Sequence, residues 1–303
     1  MNVTVFGGSG FLGSHVSDVL TERGHDVLIF DKVKSPYLKE KQTMMVEDVL
    51  NEKAVDKAVK NADVIYNFVA LADIDQARER PVETARINVL GNMHILEATR
   101  KAKVKRFVFS SSIYVYSDKG SFYRSSKQAC ELFIEDYQKI YNLNYTILRY
   151  GSLYGPRANN DNWIYRTLKQ ALTEKRIMRE GNGEELREYI HVYDAAKLSC
   201  DILKDEYKNR SLTISGNAQV KIKDLLIMIR EMLKGDVEIM YVPAKSKEHY
   251  EITPYVFNPK VATKIESTEY LDMGQGILNI LREIHEEHVT PPSHKRTYAE
   301  TSS

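Results

Sequence analysis

Val3-Thr4-Val5-Phe6 runs straight into Gly7-Gly8-Ser9-Gly10-Phe11-Leu12-Gly13, an apolar stretch that breaks into glycines three residues apart and resumes as an amphipathic segment. Nothing else in the chain limits the fold as tightly, because this order spells strand, tight turn and helix. Gly7 permits the turn, Gly10 lets backbone N–H groups approach a pyrophosphate, and Gly13 lets the helix pack on the strand. An anionic cofactor then lies on the positive end of the helix dipole. A second apolar run, Val27-Leu28-Ile29-Phe30, ends in Asp31, where an acidic side chain accepts hydrogen bonds from both hydroxyls of an adenosine ribose. A carboxylate there repels a 2′-phosphate, so the expected cofactor is NAD rather than NADP. Lys32 beside it weakens that preference without reversing it.

Short apolar runs and helical stretches alternate from there to Arg149. Thr43 to Val49 reads as a third strand, with Asp48 placed to meet an adenine amino group, and 51–60 reads as a helix. Asp63 to Val69 is a fourth strand, 81–101 a long helix with Pro81 in its first turn, Arg106 to Ser110 a fifth strand, 124–141 a helix and Tyr145 to Arg149 a sixth strand. The fold class is therefore α/β, a doubly wound parallel (Rossmann) sheet whose crevice lies at the carboxyl ends of the strands. Residues 1–157 are expected to form the NAD-binding domain, with 187–233 rejoining it through a last strand and helix around Leu212 to Leu233. Residues 158–186 and 236–288 are expected to form a smaller mixed substrate lobe, and 289–303 a tail with little to bury.

With 43 basic against 42 acidic residues, the chain carries no electrostatic footprint for nucleic acid or for a membrane surface. The expectation is no nucleic-acid partner, no membrane span and a cytoplasmic location. Cys130 and Cys200 lack metal spacing and read as reduced interior thiols. No metal site is expected.

Tyr123 and Lys127 stand one helical turn apart, so both face the same way. In a chain with 19 tyrosines such a pair arises by chance. It gains meaning from Ser110-Ser111-Ser112, which ends the preceding strand at the expected crevice. An ammonium near a phenol favours the phenolate, lowering a pKa normally about 10 toward general-base use, and a positively charged nicotinamide acts in the same direction. Ser112 would then hydrogen-bond the hydroxyl being oxidised, and Lys127 would also hold the nicotinamide ribose.

Several ordered motifs carry a family resemblance. They are the glycine turn, Asp48-Val49, Asn67-Phe68-Val69-Ala70, Asn88-Val89-Leu90-Gly91, the serine run, Tyr123 to Lys127, Leu148 to Arg157, and Arg187-Glu188-Tyr189-Ile190-His191-Val192. Over nearly its whole length the chain resembles the extended short-chain dehydrogenases of the nucleotide-sugar epimerase/dehydratase group. The resemblance implies cofactor contacts from Phe11, Leu12, Asp31, Asp48, Val49, Phe68, Val69, Ala70, Leu71, Ala72, Asn88 and Tyr150, and a catalytic set of Ser112, Tyr123 and Lys127. It also implies that Arg187 meets the diphosphate of a nucleotide-diphosphate sugar. Finally, it implies a homodimer built on the helices at 81–101 and 124–141.

The expected activity is oxidation at the C4 hydroxyl of the sugar, with 4-epimerisation through a 4-keto intermediate as the main outcome. Net C4 dehydrogenation, with NADH reoxidised by a second substrate, is the alternative. A non-catalytic NAD-binding regulator is a third reading, opposed by retention of all three catalytic residues.

Departures from the family pattern refine this. Only ten residues separate Ser112 from Tyr123, fewer than the family usually has, so an open sugar pocket is expected. Ile113-Tyr114 replaces the acidic pair of dehydratases, which disfavours loss of water. Ser152 stands where the family places an asparagine and is the second candidate substrate contact. The family's arginine-x-x-aspartate is not evident around Lys247 to Tyr250. His191 and Asp194 read as structural parts of a strand-to-helix junction.

Overall fold

The computed structural model describes residues 1–217, 219–243 and 254. Strand β1 (Asn2–Phe6) is buried from Val3 onward, as a near-continuous apolar run in a central parallel strand requires. It leads through the glycine turn into α1 (Phe11–Glu22), then β2 (Asp26–Asp31) and β3 (Gln42–Val46). Helix α2 (Glu52–Val59), N-capped by Asn51, precedes β4 (Val64–Asn67). Next come two short helices, α3 (Ile74–Glu79) and α4 (Pro81–Thr84), a π-helical turn at Ala85–Leu90, and α5 (Gly91–Lys101). Strand β5 (Arg106–Ser112), a 3-10 turn at Ile113–Tyr116, α6 (Ser121–Tyr141) and β6 (Tyr145–Tyr150) complete the regular alternation.

The remaining elements are β7 (Ser152–Tyr154), α7 (Trp163–Glu174), β8 (Arg176–Glu180), β9 (Leu186–His191), α8 (Val192–Asp201), β10 (Arg210–Ile214), β11 (Gln219–Lys221), α9 (Ile222–Met232) and β12 (Glu238–Val242). Seven strands form one sheet in the order β10-β6-β5-β4-β1-β2-β3, with every pairing parallel. The order turns back between β1 and β4. That switch point opens a crevice at their carboxyl ends.

Both faces of the sheet are covered. On one, Leu12, Val16 and Leu20 of α1 pack with Val192, Ala195 and Cys200 of α8. On the other, Val55 of α2, Ile95 and Leu96 of α5, and Cys130 and Ile134 of α6 close the core. A separate apolar cluster joins Ala171 of α7, Ile177 of β8 and Ile222, Leu225, Leu226 and Ile229 of α9. Helix α9, read from the sequence as returning to the main sheet, therefore packs on α7 and β8. Strand β10 joins the main sheet beside β6.

Three boundaries differ from the sequence reading, each for a local reason. The third strand stops at Val46, and Asp48 turns the chain by accepting a hydrogen bond from Leu50 N at 2.9 Å. The helix expected over 81–101 carries a π-helical turn, which inserts an extra residue and brings Asn88 inward, 2 % exposed. Helix α6 starts at Ser121 because Gly120 breaks the chain at φ +95° just before it. Among the described residues, no helix is long and apolar enough to cross a membrane. Both cysteines are buried free thiols. The stretch Lys247 to Tyr250, most of 236–288 and all of 289–303 lie outside the described residues.

Candidate active site

At the amino end of α1 the turn has no room for side chains. A Cβ on Gly13 would lie 2.2 Å from Gly7 O, and one on Gly7, at φ +77°, would lie 2.9 Å from the backbone of Phe68 and Val69. Gly10 caps α1 with no side-chain hydrogen bond. The first-turn N–H groups of Phe11, Leu12 and Gly13 have no acceptor within the helix and are left for an anion. Asp31, at the end of β2, is held by Ser9 N at 3.0 Å and Val33 N at 3.2 Å, with Lys32 exposed beside it. A bare cradle and a fixed carboxylate fit a dinucleotide whose adenosine ribose keeps both hydroxyls. Replacing Asp31 with Ala should weaken NAD binding by about 1.5–3 kcal/mol, the worth of charge-assisted hydrogen bonds, and relax the exclusion of NADP. Equilibrium titration with both cofactors checks it.

The loop Phe68 to Ala72 leaves β4 beside this cradle. Phe68 stacks on Tyr66 with ring centroids 6.0 Å apart, and Val69 N donates to Asn67 Oδ1 at 3.0 Å. Asn88 braces the loop from behind, accepting from Leu71 N at 2.7 Å and donating to Leu71 O at 3.2 Å and Ser126 Oγ at 2.9 Å. Its amide is thus committed to the protein, and it acts on a cofactor through the loop it holds. Val49 is buried against Gly91, while Asp48 is exposed in the turn beyond β3. Tyr150, expected as a cofactor contact, turns its hydroxyl into the core, 2.6 Å from Ser199 Oγ on α8. A phenol at a buried strand end needs a partner, and α8 supplies one.

Ser112, Tyr123 and Lys127 come together across β5 and α6. Lys127 is 2 % exposed; its Nζ donates to Ser110 O at 2.7 Å and lies 5.7 Å from the Tyr123 ring centroid and 4.8 Å from that of Phe109. The Tyr123 phenol is hydrogen-bonded to Ser112. Burial pushes Tyr123 up to about 12, partly opposed by that bond, and burial pulls Lys127 down to about 8. The sequence reading, in which the ammonium makes the phenol acidic, therefore needs correcting. Lys127 spends its charge on a carbonyl and on ring faces, and desolvation of the phenol prevails. A phenolate here needs more positive charge at the same spot.

The short connection between Ser112 and Tyr123 packs against α6. Its 3-10 turn sets the Tyr114 ring edge-on to Tyr123 at 6.5 Å. A Cβ on Gly120 would come within 2.6 Å of Tyr114 Cδ1, so only glycine lets the ring lie there. Gln128 Nε2 holds Val115 O at 2.8 Å, which ties the turn to α6.

Opposite, β7, β9 and β11 form a small sheet that brings Ser152 beside Tyr189 and carries Arg187, 7 % exposed, on β9. Arg187 Nη1 donates to Leu186 O at 3.0 Å. His191 caps α8 by accepting from Tyr193 N at 3.3 Å, a structural role. Trp163 packs in the lobe with the Arg179 guanidinium 5.3 Å from its ring centroid. Among the described residues, no group of three His, Cys, Asp or Glu side chains is placed to hold a metal.

A doubly wound sheet with a glycine cradle at its switch point and a Ser-Tyr-Lys set over the crevice defines a nicotinamide-dependent oxidoreductase of the short-chain type. Residues 3–214 match the NAD dependent epimerase/dehydratase family, and the chain belongs to that family. It is an NAD-dependent enzyme of the epimerase/dehydratase type.

A Methanocaldococcus jannaschii protein, provisionally assigned as a UDP-glucose 4-epimerase, is 27% identical over 92% of this chain and 97% of its own. The UDP-N-acetyl-alpha-D-glucosaminuronate decarboxylase of Bacillus cytotoxicus is 26% identical over 89% and 91%. Among solved structures, the UDP-glucose 4-epimerase of Thermotoga maritima with UDP-glucose superposes at a TM-score of 0.79, covering 85% of this chain and 90% of its own at 24% identity, a likeness of fold.

Proposed function

We propose that the protein is a nucleotide-sugar 4-epimerase acting on a UDP-linked sugar. The observation that carries the proposal is the convergence of Ser112, Tyr123 and Lys127 over a cradle that admits a dinucleotide. Relatives described as epimerases and a decarboxylase of UDP-sugars support the nucleotide. Bound NAD supplies a hydride acceptor at its nicotinamide and a positive charge that favours a phenolate nearby. Tyr123 would then take the proton of the C4 hydroxyl, Ser112 would hold the same oxygen, and Lys127, its charge held at the Ser110 carbonyl, would orient the nicotinamide ribose. Once the ketone has turned over in the site, Tyr123 would return the proton to the C4 oxygen, held again by Ser112, while the hydride taken up by the cofactor would go back to the opposite face of C4. Arg187 and Ser152 are assigned to the diphosphate, which keeps the nucleotide anchored while the sugar rotates. Tyr114, in the place of a dehydratase carboxylate, offers no acid or base strong enough to expel water.

Incubation with UDP-glucose, UDP-galactose and their 2-acetamido analogues, with products resolved by NMR, tests the reading. A C4 epimer with the cofactor unchanged is the expected result; a released 4-keto sugar with stoichiometric NADH would replace it with net dehydrogenation. Because burial pulls Lys127 down to about 8, kcat should fall as pH rises through that region and the ammonium is lost. A rate profile from pH 6 to 10 reads this directly.

The substrate lobe is assigned to α7, β8, α9 and β12. A homodimer is assigned to the face that leaves Val82 73 %, Leu90 45 %, Leu132 64 % and Ile140 67 % exposed on the helices from Pro81 to Lys101 and on α6. Light scattering should return twice the chain mass, and Ile140→Glu should shift it toward the monomer. Two buried unpaired thiols support a reducing, cytoplasmic setting.

A further inference from the structure

One ion pair lies directly behind the reacting groups and has no part in the chemistry above. Glu131 follows Lys127 by one turn of α6, and Arg149 lies opposite Ser111 in the β5–β6 ladder. Their side chains are 9 % and 17 % exposed. Arg149 grips the carboxylate with two parallel bonds, Nε to Oε1 at 3.0 Å and Nη2 to Oε2 at 2.6 Å. Ser111 Oγ donates to the same carboxylate at 2.5 Å. The remaining arm, Nη1, donates to the Tyr116 hydroxyl at 2.6 Å, and the guanidinium carbon lies 4.8 Å from that ring's centroid.

These bonds reach each piece that presents a catalytic group. Ser111 sits between Ser110, whose carbonyl holds Lys127, and Ser112, which holds the Tyr123 phenol. Tyr116 ends the 3-10 turn that packs Tyr114 against Tyr123. Stability alone does not call for such a pair, since buried ion pairs are often matched by apolar packing of the same volume. We propose that Glu131 and Arg149 are a positioning pair, locking the end of β5 and the following turn onto α6 so that Ser112, Tyr123 and Lys127 share one geometry. The pair also sets the charge Lys127 sees. From α6 that lysine faces the carboxylate of Glu131, the thiol of Cys130 and the Tyr123 ring; from β5 it faces only a carbonyl and the Phe109 ring. Among the described residues Glu131 is thus the carboxylate that acts on it, and it opposes the loss of the ammonium.

The kinetic part of the test rests on the 4-epimerase reading; the titration part does not. In holoenzyme labelled at lysine 13Cε, with the Lys127 signal assigned by its absence in Lys127→Met, Glu131→Gln should lower the pH at which Lys127 titrates. The alkaline limb of kcat should move down with it, kcat falling at least about tenfold while KM stays within about threefold. Glu131→Asp should recover part of the loss. Tyr116→Phe removes one hydroxyl and no charge, so it should lower kcat by about threefold and leave the titration of Lys127 in place. If a folded, NAD-loaded Glu131→Gln enzyme keeps both the wild-type Lys127 titration and its kcat, the pair is structural filler and the proposal fails. Should Glu131→Gln not fold, an unchanged kcat in Tyr116→Phe decides against it equally. A wild-type enzyme that turns over no UDP-sugar would remove the proposed function, while the Lys127 titration would still judge the pair.

Discussion

Tyr123→Phe is expected to lower kcat by about 10²–10⁴-fold, the usual worth of a positioned general acid or base, while KM changes little and the cofactor stays bound. The reason lies in how little the hydroxyl does for the fold. Among the described residues its hydrogen-bond partner is Ser112, and the ring keeps its edge contact with Tyr114 and its place under Lys127 whether or not the oxygen is present. The loss therefore falls on proton transfer and not on architecture. Steady-state kinetics, together with the NAD content of the denatured protein, separate the two. Turnover within about fivefold of wild type would remove Tyr123 from its role and with it the mechanism.

The second large effect belongs to the cradle. Gly13→Ala places a methyl 2.2 Å from Gly7 O, 3.0 Å from Gly7 C and 3.1 Å from Gly8 Cα, all backbone atoms with nowhere to swing. Either α1 or the turn must move, at a cost of at least about 1–3 kcal/mol, and the N–H groups meant for the pyrophosphate move with it. The variant should be purified without NAD and should melt several degrees lower, at about 2–4 °C per kcal/mol for a domain of this size. Gly24→Ala is the control. Unlike Gly13 it stands at positive φ, +79°, but a Cβ there meets nothing within 4 Å, so the substitution should cost about 1 kcal/mol and leave NAD in place. Equal cofactor retention in both variants would mean that the turn does not cradle the pyrophosphate.

Much of the fold was legible because it is written in short, local signals. The strands β1, β2 and β4 and the Phe107–Phe109 stretch of β5 carry near-continuous apolar runs, which a sheet covered on both faces satisfies. Asn51 announced α2, and the spacing of Tyr123 and Lys127 announced a shared helix face. The π-helical turn gave no such signal. It exists because Asn88 must reach both Leu71 and Ser126, partners 17 and 38 residues away. Helix α3 is six residues long and too short for a hydrophobic period to declare itself. Glu131 and Arg149 read in sequence as ordinary charges on a helix and a strand.

The alternation of strands and helices along the chain, the site of the glycine turn and the shared helix face of Tyr123 and Lys127 follow from the sequence by itself, since each depends on residues close to one another in the chain. Tertiary structure alone decided which way those side chains face. It sent the Tyr150 hydroxyl to Ser199, the Arg157 guanidinium to Asp18 at 2.7 Å across 139 residues of chain, and the Lys127 charge to a carbonyl instead of the phenol oxygen. Desolvation explains the difference: once buried, a polar group must take whatever partner the packed chain brings to it, and only the assembled neighbours fix that partner and the resulting shift in acidity.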